Sequence, residues 1–110
     1  MKIKLILSEK QLNSLVYCFA FLDKTPTKDR AVKVARSVVD KVAIKFKKKQ
    51  VEVQALSNLF TKNKKHSFTL ELVEAHFLEQ FAVLVVNHAL NDYDRNVMLF
   101  ISNNLNQQLA

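Results

Sequence analysis

The chain opens on an alternation of apolar and polar positions. Ile3, Leu5 and Leu7 fall on one side and Lys2 and Lys4 on the other, the two-residue period of a β-strand over residues 2–7. Ile6 breaks the alternation and predicts a strand covered on both faces. Ser8 stands three positions before Gln11, the spacing of a capping box, and predicts a helix running to about Leu22. Leu12, Leu15, Val16, Phe19 and Leu22 share one stripe of that helix. Tyr17, Cys18 and Phe21 fall elsewhere, so more than one of its faces is expected to be buried.

Thr25-Pro26-Thr27 holds the only proline and marks the clearest break, with Thr25 or Thr27 as the cap of the next helix. That helix is predicted to reach about Lys49, with Ala31, Ala35, Val38, Val39, Val42 and Phe46 as its apolar stripe. Residues 51–61 repeat the helical spacing through Val53, Leu56, Leu59 and Phe60, although Val51-Glu52-Val53 also fits an extended segment. Asn63-Lys64-Lys65 reads as a loop, and Phe68, Leu70 and Leu72 alternate with Thr69 and Glu71 in a second strand over residues 67–72. The helix expected over about 73–90 is apolar nearly all round, with only His76, Glu79, Gln80 and Asn87 as a polar strip, which predicts a central place in the core. Asn91-Asp92-Tyr93-Asp94 then forms a turn with a capping carboxylate. A last helix carries Val97, Ile101, Leu105 and Leu109 on one side and an Asn/Gln-rich surface on the other.

The two halves echo each other. Ile3-x-Leu5-x-Leu7-Ser8-Glu9 aligns with Phe68-x-Leu70-x-Leu72-Val73-Glu74, and each run leads into an apolar helix followed by another helix. The expectation is one α+β domain over residues 1–110, predominantly helical: two short strands and about five helices, in a strand-helix-helix repeat. A lone pair of strands is marginal in water, so the strands must pair under a helical layer or across a subunit interface.

Composition narrows the chemistry. The chain contains no glycine, so phosphate-binding loops and dinucleotide fingerprints cannot take their usual form, because both need backbone that glycine alone supplies. No apolar run reaches the roughly 18–20 residues that span a bilayer, and Glu9 and Lys10 interrupt the first apolar stretch too early for a signal peptide. Cys18 is the only cysteine, which excludes an intrachain disulfide and suits a reducing cytoplasm.

The formal charge of +7 is lopsided: residues 1–40 carry +4, residues 41–65 carry +7 and residues 66–110 carry −4. Arg30, Lys33, Lys41 and Lys48 share the outer face of the long helix, a strip of roughly 27 Å at about 1.5 Å per residue. With Lys45, Lys49, Lys62, Lys64 and Lys65 it can follow several phosphates in a sequence-tolerant, salt-sensitive way. The competing reading is a solvated face that keeps the protein in solution. Arginine is scarce, which argues against reading base edges, and no exposed aromatic is expected among the lysines to stack on single strands. Membrane-surface binding is disfavoured because the bulky apolar residues are committed to the core.

No catalytic constellation emerges. His88 lies among Phe77, Phe81 and Leu84 and reads as a buried, hydrogen-bonded structural imidazole. His76 has Glu79 and Gln80 at i+3 and i+4, too few ligands for a metal, and His66 reads as an exposed loop residue. Cys18 lies mid-helix without a base, and capping accounts for Asp92 and Asp94. Neither an enzyme, a cofactor, a metal nor a small-molecule substrate is indicated. Two expectations remain. One is a protein–protein interaction or assembly module, self-associating as a homodimer through Tyr17, Phe21, Leu99 and Phe100 and through symmetric closure of strand edges. The other is a nucleic-acid-binding accessory protein using the lysine-rich face.

Overall fold

The computed structural model describes residues 2–20, 29–56, 65–87 and 91–110. Their order is β1 (Lys2–Ser8), α1 (Glu9–Phe19), α2 (Arg30–Leu56), β2 (Lys65–Glu71), α3 (Leu72–Val86) and α4 (Asp92–Leu109). The helical majority is as expected, with four helices among the described residues rather than about five. The difference lies in α2, which runs unbroken through Lys49, Gln50 and Val51. No proline or glycine interrupts residues 47–56, and Lys and Gln are good helix formers, so Val51 and Val53 do not switch the backbone to a strand.

β1 and β2 pair antiparallel, from Lys2 opposite Glu71 to Ser8 opposite Lys65. Ile3, Leu5, Leu7, Phe68 and Leu70 form the buried face against the helices. Lys2, Lys4, Ser67, Thr69 and Glu71 point outward with Ile6, which is 49% exposed, so the sheet is covered on one face only. His66, expected in an exposed loop, is instead a half-buried strand residue opposite Leu7.

Each strand passes directly into a capped helix. Gln11 N–H donates to Ser8 Oγ at 3.2 Å, and Ser8 N–H donates to Gln11 Oε1 at 2.9 Å. At the second start Glu71 N–H donates to Glu74 Oε1, also at 2.9 Å. These boxes lie 63 positions apart, and the same offset superposes Leu5 on Phe68, Leu7 on Leu70, Leu15 on Leu78, Val42 on Leu105 and Phe46 on Leu109. The repeat therefore aligns at 63, not at the 65 that matched Ile3 to Phe68. A two-residue slip keeps every strand side chain on its own face, so alternation alone cannot detect it.

The core is centred on aromatic rings from four elements. Phe19 lies 5.3 Å from Phe81 and 6.1 Å from Phe46, and Phe46 lies 4.3 Å from Phe68. α3 is less enclosed than its composition predicts. Ala75, Leu78, Phe81, Ala82 and Val85 face the core, but Leu72, Val73, Val83 and Leu84 are exposed. A helix in a single layer has one side to bury, so its remaining apolar residues stay at the surface.

Two side chains close the sheet edges. Gln108, in the last turn of α4, accepts from Lys4 N–H at 3.2 Å and donates to Lys4 C=O at 2.7 Å. Both backbone groups of Lys4 thus point away from β2, which makes Lys4 and Thr69 a non-hydrogen-bonded pair. On the other edge Lys45 Nζ donates to Thr69 C=O at 3.2 Å. Lys45 and Gln108 are themselves 63 positions apart, so the second helix of each half clamps the strand of the other.

Candidate functional site

Three surfaces carry the side chains singled out by sequence. On α2, Arg30, Lys33, Lys41 and Lys48 are exposed, and none forms an ion pair among the described residues. Lys45 and Lys49 are engaged instead: Lys45 with Glu74 at 3.4 Å and Lys49 with Glu52 at 3.8 Å. Lys65 is exposed at the start of β2, while Lys62 and Lys64 lie outside the described residues. Ile44 and Val51 are exposed on the same side as Lys41 and Lys48, at helical spacing, so the strip is not purely basic.

The second surface is α4 with its neighbour α3. Leu99 and Phe100 are 40% and 42% exposed. Tyr93, seven positions before Phe100, lies on the same side of α4 and is also exposed, a member that sequence reasoning overlooked. After Arg95 the helix carries no charged side chain: Asn96, Asn103, Asn106 and Gln107 complete its solvent face. Tyr17 is exposed on α1, and Phe21 lies outside the described residues.

The third is a cleft between α1 and α4. It is open, about 480 Å³ in volume, and lined by Lys10, Asn13, Ser14 and Tyr17 from α1 with Tyr93 and Asp94 from α4. The four α1 residues recur at three- and four-residue spacing, so one face of the helix forms that wall. Asn91 caps α4 by accepting from Asp94 N–H at 2.8 Å. The cap is thus Asn91, and Asp94 is released for another task. Ser14 Oγ donates to Asp94 Oδ1 at 2.5 Å and Asn91 Nδ2 donates to Asp94 Oδ2 at 3.0 Å. Asp94 and Ser14 are both buried, and Asp94 forms no ion pair among the described residues. Asn13 accepts from Gln50 Nε2 at 2.9 Å, tying this wall to α2.

One turn beyond Ser14, Cys18 is fully buried. Burial first, and then the charge on Asp94, push its thiol up to about 12. The thiol stays protonated at neutral pH and is not a nucleophile. Ser14 lies within α1, where backbone N–H groups are already engaged, so its own helix offers no backbone oxyanion donors. Its bond to Asp94 joins two helices 80 positions apart in sequence.

Of the histidines, His76 Nε2 shares a hydrogen bond with Gln80 Nε2 at 3.1 Å and stands edge-on to Phe77. His88 lies outside the described residues. Among the described residues no group of three or more His, Cys, Asp or Glu is placed to hold a metal ion. No described helix is long and apolar enough to cross a membrane. Comparison with known protein families, characterised proteins and solved structures finds no match.

Proposed function

We propose that this chain is a non-enzymatic assembly module that associates with a second copy of itself through the outer surface of α4 and the adjoining side of α3. The observation that carries this reading is the charge-free solvent face of α4, from Asn96 onward, with Tyr93, Leu99 and Phe100 exposed on the helix. Depletion of charge and enrichment in aromatics mark the centres of protein interfaces. Amide side chains both donate and accept, so such a face meets its own copy without like-charge contact. The lysine face of α2 lacks that property. Leu72, Val73, Val83 and Leu84 add exposed apolar surface on α3, more than scattered single residues require.

Sedimentation equilibrium across a wide concentration range tests this. The wild type is expected to show a dimer that Phe100→Glu weakens roughly ten- to hundredfold, as for an interface anchor. Val51→Glu, at a 65% exposed position on α2, leaves the equilibrium unchanged. A monomer at every concentration, or equal disruption by Val51→Glu, overturns the reading.

A second reading is favoured by Arg30, Lys33, Lys41 and Lys48, whose charges stay uncompensated among the described residues. In it α2 binds nucleic-acid phosphates without sequence preference. Fluorescence anisotropy with labelled duplex and single strands should then show binding that falls steeply between about 50 and 200 mM salt. Lys33, Lys41 and Lys48 changed together to Glu should abolish it; unchanged affinity removes the strip from consideration.

A further inference from the structure

We infer that the cleft between α1 and α4 is a binding site for an alkylammonium group, the head of a small amine or of a lysine side chain. The cleft is formed by a single copy of the chain, and its carboxylate, Asp94, has no part in the assembly reading, which shares only Tyr93 with it. Its defining feature is a carboxylate where a carboxylate is costly. Asp94 is 8% exposed, lines the cleft and has no cationic partner among the described residues, in a protein of net charge +7. A buried charge is ordinarily paired. Among the described residues its oxygens accept one hydrogen bond each, from the neutral donors Ser14 and Asn91, whereas a carboxylate has about four acceptor positions. Acceptor capacity therefore remains for a ligand.

The walls suit the same ligand. Tyr17 comes from α1 and Tyr93 from α4, and a cation held against tyrosine rings is attracted by their negative faces. Asn13 and Ser14 add polar but uncharged lining. An anion meets Asp94 and is repelled. The single positive neighbour, Lys10, is exposed and forms no ion pair among the described residues. It opposes a cationic ligand and therefore gives the proposal a sign.

Tyr17 and Tyr93 are the only tyrosines, the chain has no tryptophan and both rings line the cleft, so intrinsic fluorescence reports on it. Protein concentration is held fixed, because Tyr93 also stands on the α4 face of the assembly reading. Propylammonium chloride and Nα-acetyl-lysine amide are titrated against sodium chloride at constant ionic strength. A saturable change in tyrosine emission is expected with half-saturation in the roughly millimolar range. Asp94→Asn should weaken it roughly tenfold or more, with circular dichroism verifying the fold. Lys10→Gln, an exposed change that leaves folding alone, should tighten it roughly two- to fivefold. Tighter binding of propylammonium identifies a small amine as the source, and tighter binding of the lysine amide identifies a protein side chain. A response matched by sodium, unaffected by Asp94→Asn, or weakened by Lys10→Gln overturns the proposal.

Discussion

Gln108 offers a test in which two similar side chains should behave in opposite ways. Its amide has one acceptor and two donor hydrogens, and all are used: Oε1 accepts from Lys4 N–H, while Nε2 donates to Lys4 C=O at 2.7 Å and to Asn104 Oδ1 at 2.6 Å. Two acceptors face Nε2, so the amide has only one workable orientation. Gln108→Ala removes three hydrogen bonds at a partly exposed site. At the low end of about 0.5–1.5 kcal/mol each, this costs about 1–2 kcal/mol. Gln108→Glu keeps the shape and the bond from Lys4 N–H, but sets a carboxylate oxygen against two acceptors. It also places a negative charge in the last turn of α4, where the helix dipole opposes it. The expected cost is about 2–3 kcal/mol, larger than for alanine, or roughly 8–12 °C at about 4 °C per kcal/mol for a chain of this size.

General electrostatics predicts the reverse order, since a carboxylate on a protein of +7 should help. Thermal and urea unfolding of the three proteins at neutral pH decides between the two. A second arm sharpens it. A protonated glutamate donates again, so the gap between Gln108→Glu and wild type should close as pH falls through about 4.3. A glutamate variant as stable as wild type at pH 7 refutes the edge-clamp reasoning.

Three further outcomes follow from the core and the cleft. Phe46→Ala removes a fully buried ring in contact with Phe19 and Phe68, and should cost about 3–5 kcal/mol in urea unfolding; a loss under about 1.5 kcal/mol contradicts this packing. Ser14→Ala leaves Asp94 Oδ1 without its buried donor and should cost about 1.5–3 kcal/mol, whereas an effect near zero places that hydrogen bond outside the folded protein's needs. Cys18 is raised from 9.0 to about 12 on folding, so the folded state favours its protonated form. Its contribution is complete below pH 9.0 and is lost as pH rises through about 12, at up to about 1.4 kcal/mol per unit. Cys18→Ala should therefore flatten the alkaline arm of the stability curve, and an unchanged slope excludes the thiol as its source.

What the sequence made legible was local. Both strands, the Ser8–Gln11 capping box and the Val39, Val42 and Phe46 part of the α2 stripe follow from period and cap chemistry over spans of a few residues. Ala31 of that stripe, however, is exposed, and the Glu71–Glu74 box went unread. The errors have equally physical causes. The helical spacing expected from Val51 onward holds, but the break expected after Lys49 does not, because nothing between Lys47 and Leu56 stops a helix once it has begun. α3 is apolar on nearly every side, but burial is decided by how many neighbours the fold supplies, and that number is not written in α3. Asp94 reads as a cap because its position beside Asn91 explains a carboxylate locally. Its bond to Ser14 spans 80 positions, and no periodicity foretells such a meeting.

The sheet edges bear on where association occurs. From sequence alone the strands are expected to pair under a helical layer or across a subunit interface. Here β1 pairs with β2 inside one chain, and Gln108 and Lys45 occupy backbone groups on the two outer edges. A third strand must displace one of these clamps before it can add. The outer face of the sheet is no better as an interface, since Lys2, Lys4 and Lys65 stand on it and Ile6 is its only exposed large apolar residue. Lys2 and Glu71 already form an ion pair across it at 3.4 Å. The clamps occupy equivalent positions in the two halves, and several interior residues coincide as well, but the outer faces of the second helices differ. α2 carries the lysines and α4 carries none. The proposed interface between like copies is thereby directed away from both the sheet and α2, onto α4 and its neighbour α3.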